Sequence, residues 1–360
     1  MINLIELFET KMLKQNAQAV KYVNVHGLQG VQGVLKEINE QINRDFGLVG
    51  PFTLSTPSAR VHAVRWAIAR EVFVVETNVK RATKEIVAAA IAQINKCPYC
   101  EDVHRTSIAS SGDEDTAKAI ANETWKSMEN KKTKALIEWA LNTRNPGADI
   151  VRNPPFSIHE APEIIGTALV FHSTNRLVSI FLEDSPVPGV LGKPLVKNSA
   201  LFIASKTFFK SMVSKKAGTG DSLKFIENYP ASKNVSWAKS IPAYVQALTA
   251  NEILLNKIEA EVIPFRTVQL FKEYISTWQG DDMLLGRAWL SEILSGLDEI
   301  EKPVATLVFL AALAPFTITE DDINNFRKIN PGDKALIEVC FWAIETATKR
   351  ISEWLVNPFF

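Results

Sequence analysis

The chain has 360 residues, 46% of them hydrophobic and 22% charged, the proportions of a protein built on packed cores and long enough for two domains. Lys+Arg and Asp+Glu both number 40, so no net field draws in nucleic acid or an anionic membrane surface, and neither is expected as a partner. Three cysteines in such a length exclude a disulfide framework and suit thiol chemistry in a reducing compartment.

From its first residues, Met1-Ile2-Asn3-Leu4-Ile5-Glu6-Leu7-Phe8-Glu9, the chain mixes charges into its apolar positions. No uncharged run reaches the length needed to cross a bilayer, so a cytoplasmic protein is expected. Apolar residues then recur with the 3.6 period of a helix over Val61–Val75 and again over Thr83–Asn95, where Ile86, Val87, Ala90, Ile91 and Ile94 make a buried face and Glu85 lies near the start. The same period marks Thr116–Met128, Lys134–Leu141, Ile164–Leu182, Glu252–Ile263, Val304–Leu313 and Ala335–Leu355, whereas alternating strand-like runs are scarce. The predicted fold is all-α.

Loops are marked by Asn153-Pro154-Pro155 to Pro162, by Asp184-Ser185-Pro186-Val187-Pro188-Gly189, and by Lys215 to Asp221, which carries two glycines. The last of these is the expected domain boundary. A short echo suggests duplication: Pro155-Phe156-Ser157-Ile158-His159-Glu160 matches Pro315-Phe316-Thr317-Ile318-Thr319-Glu320 at a constant offset. The expected organisation is a first domain over 1–213 and a degenerate second copy over 222–360 that lacks the Cys-x-x-Cys pair. His159 has Thr319 as its counterpart and reads as exposed or structural, while Cys340 reads as a core residue of the final helix.

The densest chemistry lies in Cys97-Pro98-Tyr99-Cys100, with His104 four residues beyond and Glu85 twelve residues before the first thiol. If Cys97 caps a helix that Pro98 opens, Cys97, Cys100 and His104 stand at i, i+3 and i+7 on one helix face. A thiol at a helix N-terminus is favoured as thiolate by the macrodipole and unpaired N–H groups. Lys96 and Arg105 would push the thiol the same way, and Glu101 and Asp102 would oppose them.

Several readings of the pair compete. Structural zinc needs a second half-site, and only Cys340 and scattered histidines are available. Haem attachment needs histidine directly after the second cysteine, where Glu101 stands. A thioredoxin scaffold needs flanking strands, and the flanks here are helical. Two small core cysteines beside a satisfied histidine are the plainest alternative.

Glu85, an Ala/Ile-rich helix and then Asn95-Lys96-Cys97-Pro98-Tyr99-Cys100-Glu101-Asp102-Val103-His104 resemble the carboxymuconolactone decarboxylase superfamily, and within it the alkylhydroperoxidase D-like (AhpD-like) branch. All four functional positions of that branch, Glu and Cys-x-x-Cys-x-x-x-His, match. Tyr99 stands where the mycobacterial-type pattern has histidine, which implies a shorter proton relay. The resemblance continues through Val170-Phe171-His172-Ser173-Thr174-Asn175-Arg176-Leu177, similar to a later His-x-x-Asn-Arg helix, and covers roughly Val61 to Leu191.

The resemblance implies an AhpD-like helical fold and a peroxidase of peroxiredoxin type acting on organic hydroperoxides or hydrogen peroxide. Cys100 would be the peroxidatic thiol and Cys97 the thiol that closes a disulfide with it. His104 would be the base and Glu85 its orienter. Tyr99 and His172 would line the pocket. No tightly bound cofactor and no metal is implied. An external dithiol reductant, a lipoyl-bearing or thioredoxin-like protein, would complete the cycle. The second copy would serve as a built-in partner, so the expected homo-oligomer has fewer subunits than single-copy relatives. The rivals are a noncatalytic redox sensor or disulfide-exchange module and, against the thiol pair, a carboxymuconolactone decarboxylase.

Overall fold

A computed structural model describes residues 14, 17–27, 30–47, 49–183, 200–283 and 286–359, with side chains left aside over 200–206. The N-terminal run read above and the Asp184–Gly189 loop lie outside the described residues.

Among the described residues there is no β-strand, only one antiparallel bridge between Val20 and Leu182, so the all-α expectation holds. The helices are α1 (Gly33–Asp45), α2 (Gly50–Thr53), α3 (Ala59–Ala69), α4 (Arg81–Ile94), α5 (Pro98–Ser110), α6 (Glu114–Ala121), α7 (Lys131–Asn142), α8 (Asp149–Arg152) and α9 (Ala161–Phe181). They continue as α10 (Ala200–Ser214), α11 (Pro242–Val262), α12 (Phe265–Thr277), α13 (Ala288–Ile293), α14 (Lys302–Leu313), α15 (Glu320–Ile329) and α16 (Asp333–Val356). The expected Val61–Val75 helix is α3 running into one π turn, Arg70–Val74. The expected Thr116–Met128 helix is broken: α6 stops at Ala121 because Glu123 takes a left-handed φ of 55°, and a short 3₁₀ turn follows at Trp125–Ser127.

Alanine explains how α4 packs. Ala88, Ala89, Ala90 and Ala92 are fully buried, so α5, α9 and α7 approach it on several sides. Helix α9 is the central strut. It is long and apolar enough to cross a membrane by length and composition, but it is buried in the protein between α4 on one side and α14 and α16 on the other. Gly166 lets it meet the π turn and α11, since a Cβ there would stand 2.4 Å from Val72 and 2.9 Å from the Tyr244 hydroxyl.

One continuous apolar core runs from Ala19 to Leu355 and draws on both halves of the chain. The Lys215–Asp221 stretch is also tied down rather than slack. Arg70, fully buried, donates from Nη1 to the Gly218 carbonyl (2.8 Å) and from Nη2 to Asp221 (3.2 Å), while Glu71 accepts from the Gly220 N–H (2.8 Å) and Ser222 (2.6 Å). At the six-residue echo the two copies start their helices differently. Ser157 and Glu160 cap each other ahead of α9, but in the second copy the reciprocal cap falls two positions later, on Thr319 and Asp322 ahead of α15. The echo is therefore not reproduced in the local structure.

Candidate thiol active site

Residue Cys97 is the N-cap of α5 and Pro98 its first residue, as the spacing predicts. The turn that delivers it is strained, because Lys96 holds a left-handed φ of 52°. It is braced by two contacts, the second of them itself supported. Asn95, at the end of α4, donates from Nδ2 to His172 Nδ1 (3.2 Å); Lys96 pairs with Asp282 (3.1 Å); and Asp282 is itself held by Arg144 (2.7 Å).

The two sulfurs lie 2.6 Å apart as free thiols, and each cysteine is 2% exposed. On the next helical turns, His104 Nδ1 lies 2.6 Å from Glu85 Oε2. An ionised carboxylate only accepts, so Nδ1 carries the proton and Nε2 is left as the acceptor. Glu85 is fully buried and takes Arg81 on its other oxygen, from Nε at 2.9 Å and Nη2 at 2.7 Å. Burial pushes the Glu85 carboxyl up, but Arg81 and His104 outweigh it and hold it below the usual carboxylate range. Arg81 stacks over Phe73, 3.9 Å from the ring centre, and over Phe46 at 4.8 Å.

Helix α4 is itself anchored at its start. Lys84, buried, pairs with Glu163 in the first turn of α9 and donates to the Val75 carbonyl (2.7 Å). Glu163 also accepts from Thr77, Asn78 and the Val79 N–H, fixing the loop between the π turn and α4. Arg81, Glu85 and His104 are thus placed by buried polar contacts rather than by surface helix pairs.

Cys100 and His104 line one small cavity of about 30 Å³, walled by Phe52, Phe73, Tyr99, Val170 and Phe171. The His104 ring meets Phe171 edge-on at 4.4 Å and Phe73 at 5.8 Å. Among the described residues no hydrogen bond joins Cys100 to His104; they meet across the cavity. Burial, and then the neighbouring Cys97 thiol, pushes the Cys100 thiol well above its ordinary value. The sequence expectation of a favoured thiolate is therefore corrected: in the resting site burial outweighs the helix N-terminus. The flanking charges do not decide the matter either, since Arg105 is paired with Glu101 (3.0 Å) and Asp102 (2.9 Å) and Lys96 with Asp282.

Cys97 opens onto a different space. A cavity of about 410 Å³ is lined by Lys21, Lys96, Cys97, Tyr99, Glu183 and the exposed Phe316. Tyr99, only 2% exposed, is common to both cavities and separates them.

His172 does not share the Cys100 cavity. It is fully buried, with Nε2 3.0 Å from Thr143 Oγ1 and Nδ1 taken by Asn95; Thr143 donates its own proton to the Ala140 carbonyl, so the His172 proton sits on Nε2. Burial, then Arg176 and Arg144, holds it well below the ordinary histidine value and so neutral. It is a positioning residue for the turn before Cys97. His159 is exposed and Cys340 fully buried in α16, as expected. Sequence reasoning missed Arg81, Phe73 and Phe171; the four-residue spacing of Arg81 and Glu85 was the available signal for the first.

Residues 59–125 match the carboxymuconolactone decarboxylase family model, a span that contains Glu85, Cys97, Cys100 and His104. Over this span the family model agrees with the motif resemblance to the alkylhydroperoxidase D-like branch of that superfamily. Almost the whole length of the chain is similar to an alkyl hydroperoxide reductase of Mycobacterium tuberculosis, with 29% identity over 325 residues, 90% of this chain and 91% of the relative.

Proposed function

We propose that the chain is a thiol-dependent hydroperoxidase in which Cys100 is oxidised, Cys97 closes the disulfide, and His104 and Glu85 carry the proton. The observation that carries this reading is the shared cavity of Cys100 and His104, with Cys97 Sγ 2.6 Å from Cys100 Sγ and Glu85 2.6 Å from His104 Nδ1. In the cycle His104 Nε2 takes the Cys100 proton across the cavity, directly or through one water. The thiolate attacks the terminal peroxide oxygen, the O–O bond breaks as S–O forms, and the alcohol, or water from hydrogen peroxide, leaves with the proton returned by His104. The Cys97 sulfur then attacks the sulfenic sulfur, S–S forms, and water departs. Two electrons have passed from the thiols to the peroxide.

An external dithiol restores the pair by exchange. The cavity of about 410 Å³ beside Cys97 supports entry of a lipoyl-bearing or thioredoxin-like reductant on that side, since the one at Cys100 is only about 30 Å³. The name of the mycobacterial relative agrees with peroxide as substrate. We also propose a homo-oligomer, tested by sedimentation at micromolar concentration. The raised Cys100 thiol favours one second reading, a slow redox sensor using the same pair.

Stopped-flow consumption of cumene hydroperoxide and hydrogen peroxide by the prereduced protein separates the two. Rapid loss of one peroxide equivalent, with a Cys97–Cys100 bond found by mass and no reaction in Cys100→Ser, supports the peroxidase. A slow reaction indifferent to Cys100→Ser and Cys97→Ser overturns both readings, and a slow reaction that needs both thiols supports the sensor.

A further inference from the structure

The cavity at Cys100 and His104, at about 30 Å³, has room for little more than water. An organic hydroperoxide reacting there needs space for its carbon body within one side chain of the sulfur. Two larger spaces lie nearby. The one of about 410 Å³ is bordered by Cys97, and a body held there brings the peroxide to Cys97 rather than to Cys100.

The other, of about 100 Å³, lies where both halves of the chain meet, between α3, α9, α11 and α16. Three residues line both it and the Cys100 cavity: Phe52 of α2, and Val170 and Thr174 one turn apart on α9. A wall one side chain thick therefore separates the two. Its lining is mainly apolar, from Ile68, Leu169, Leu248 and Leu255. Polar groups also line it, among them Arg65, Glu252, Lys349 and the Glu345 carboxyl, which accepts from Ser173 and from Asn251 Nδ2 (2.9 Å).

We infer that this inter-helical chamber receives the apolar body of an organic hydroperoxide, with Phe52, Val170 and Thr174 forming the wall that yields to let the peroxide group reach Cys100. The inference rests on the peroxidase reading and adds where the carbon body sits, in a chamber outside the Cys100 cavity whose size suits a compact branched or aromatic body. It also gives the second half of the chain a part in holding that body, because Leu248, Leu255 and Glu345 belong to that half. A body seated in the chamber is positioned before reaction, which is where binding energy remote from the reacting atoms increases selectivity.

The test compares kcat/KM for cumene hydroperoxide and for hydrogen peroxide in the wild-type protein and in Leu248→Trp, which fills the chamber from a position outside the Cys100 cavity. The expected result is a fall of about tenfold or more in the cumene-to-hydrogen-peroxide ratio, of the size a lost apolar contact gives. Phe52→Ala, which thins the wall, is expected to raise the ratio. A readout without turnover uses cumyl alcohol, the product that keeps the body, titrated calorimetrically into Cys100→Ser protein with and without Leu248→Trp. Weaker binding in the filled variant is expected, and equal binding overturns the inference whatever the variant's activity. If the wild-type protein consumes both peroxides and Leu248→Trp leaves their ratio within twofold, the inference falls while the peroxidase reading stands. If the wild-type protein consumes neither, the peroxidase reading falls and takes the inference with it.

Discussion

Replacing Glu85 by glutamine keeps the shape of the site and removes one buried charge. In the wild-type protein that charge is held by Arg81 at 2.7 Å and 2.9 Å and by His104 at 2.6 Å, and the side chains of Arg81 and Glu85 are 3% and 0% exposed. With glutamine the buried Arg81 guanidinium loses its paired anion and keeps only the weaker pull of Glu76. Breaking a buried pair in this way costs about 3–5 kcal/mol. The Phe73 ring, 3.9 Å from the guanidinium, remains in place and argues for the lower end, about 3 kcal/mol. At roughly 2.1 cal/mol/K of unfolding entropy per residue, the chain's 360 residues give about 0.8 kcal/mol/K, so Tm falls by about 4 °C.

The pH dependence of that gap is the sharper check. The folded Glu85 carboxyl titrates below its ordinary value, so its contribution is complete above the unfolded value near ~4.3 and is lost as pH falls through the folded one. Calorimetric scans of wild type and Glu85→Gln from pH 8 to pH 3.5 are expected to show a constant gap down to about pH 5 that narrows in acid. A gap under about 1 °C at pH 7, or one that widens in acid, refutes the view that Glu85 is the anion holding Arg81 and His104 together.

Two buried histidines set the next acid limit. Burial holds His62 down to about 3, between Ser55 and Asn39, and His172 well below its ordinary value, so both depressed groups contribute stability that is complete above about pH 6.5 and is lost below it. Urea unfolding is expected to weaken between pH 6.5 and 5 by up to ~1.4 kcal/mol per pH unit for each histidine, with a shallower slope in His172→Asn; a flat profile counts against the assignment. Mass-resolved iodoacetamide labelling of Cys100 is expected to be slow at pH 7 and to accelerate above pH ~9, because burial raises the thiol; labelling at pH 7 as fast as that of free glutathione contradicts this. Arg70→Met is expected to release the clamped 218–221 stretch and speed tryptic cleavage at Lys215 and Lys216 several-fold, and an unchanged cleavage rate shows that the clamp does not hold that segment.

What the sequence made legible was local. The Thr83–Asn95 period, the Pro98 start of α5 and the i, i+3, i+7 placement of Cys97, Cys100 and His104 all follow from backbone geometry, and all hold. What it hid depends on burial. Arg81 stands four residues before Glu85, a spacing that on its own says nothing of burial, and the packing of α5 and α9 on α4 makes the pair the charge behind His104. The apolar run of α9 contains both His172 and Phe171. The histidine attracts notice, yet one residue around the helix it is Phe171 that meets His104. Thr116–Met128 carries a helical period through a position where Glu123 turns left-handed, which no periodicity reveals.

The raised thiol and the proposed cycle fit together through the same three buried residues. If the Cys100 proton had to reach bulk water, burial would leave too little thiolate at neutral pH for fast attack. Across the cavity, however, it moves to His104 Nε2 and turns a neutral pair into thiolate and imidazolium without exporting charge. The imidazolium then rests on Glu85, which Arg81 keeps ionised, so the proton taken from Cys100 is held inside the site. Arg81 touches no reacting atom, so its part is positional, and Arg81→Met acts on the ease with which His104 accepts a proton. The pH at which peroxide consumption reaches half its maximum is therefore expected to move in Arg81→Met, while hydrogen bonding alone could keep His104 in place. A variant with reduced rate but an unshifted profile shows that Arg81 serves packing only.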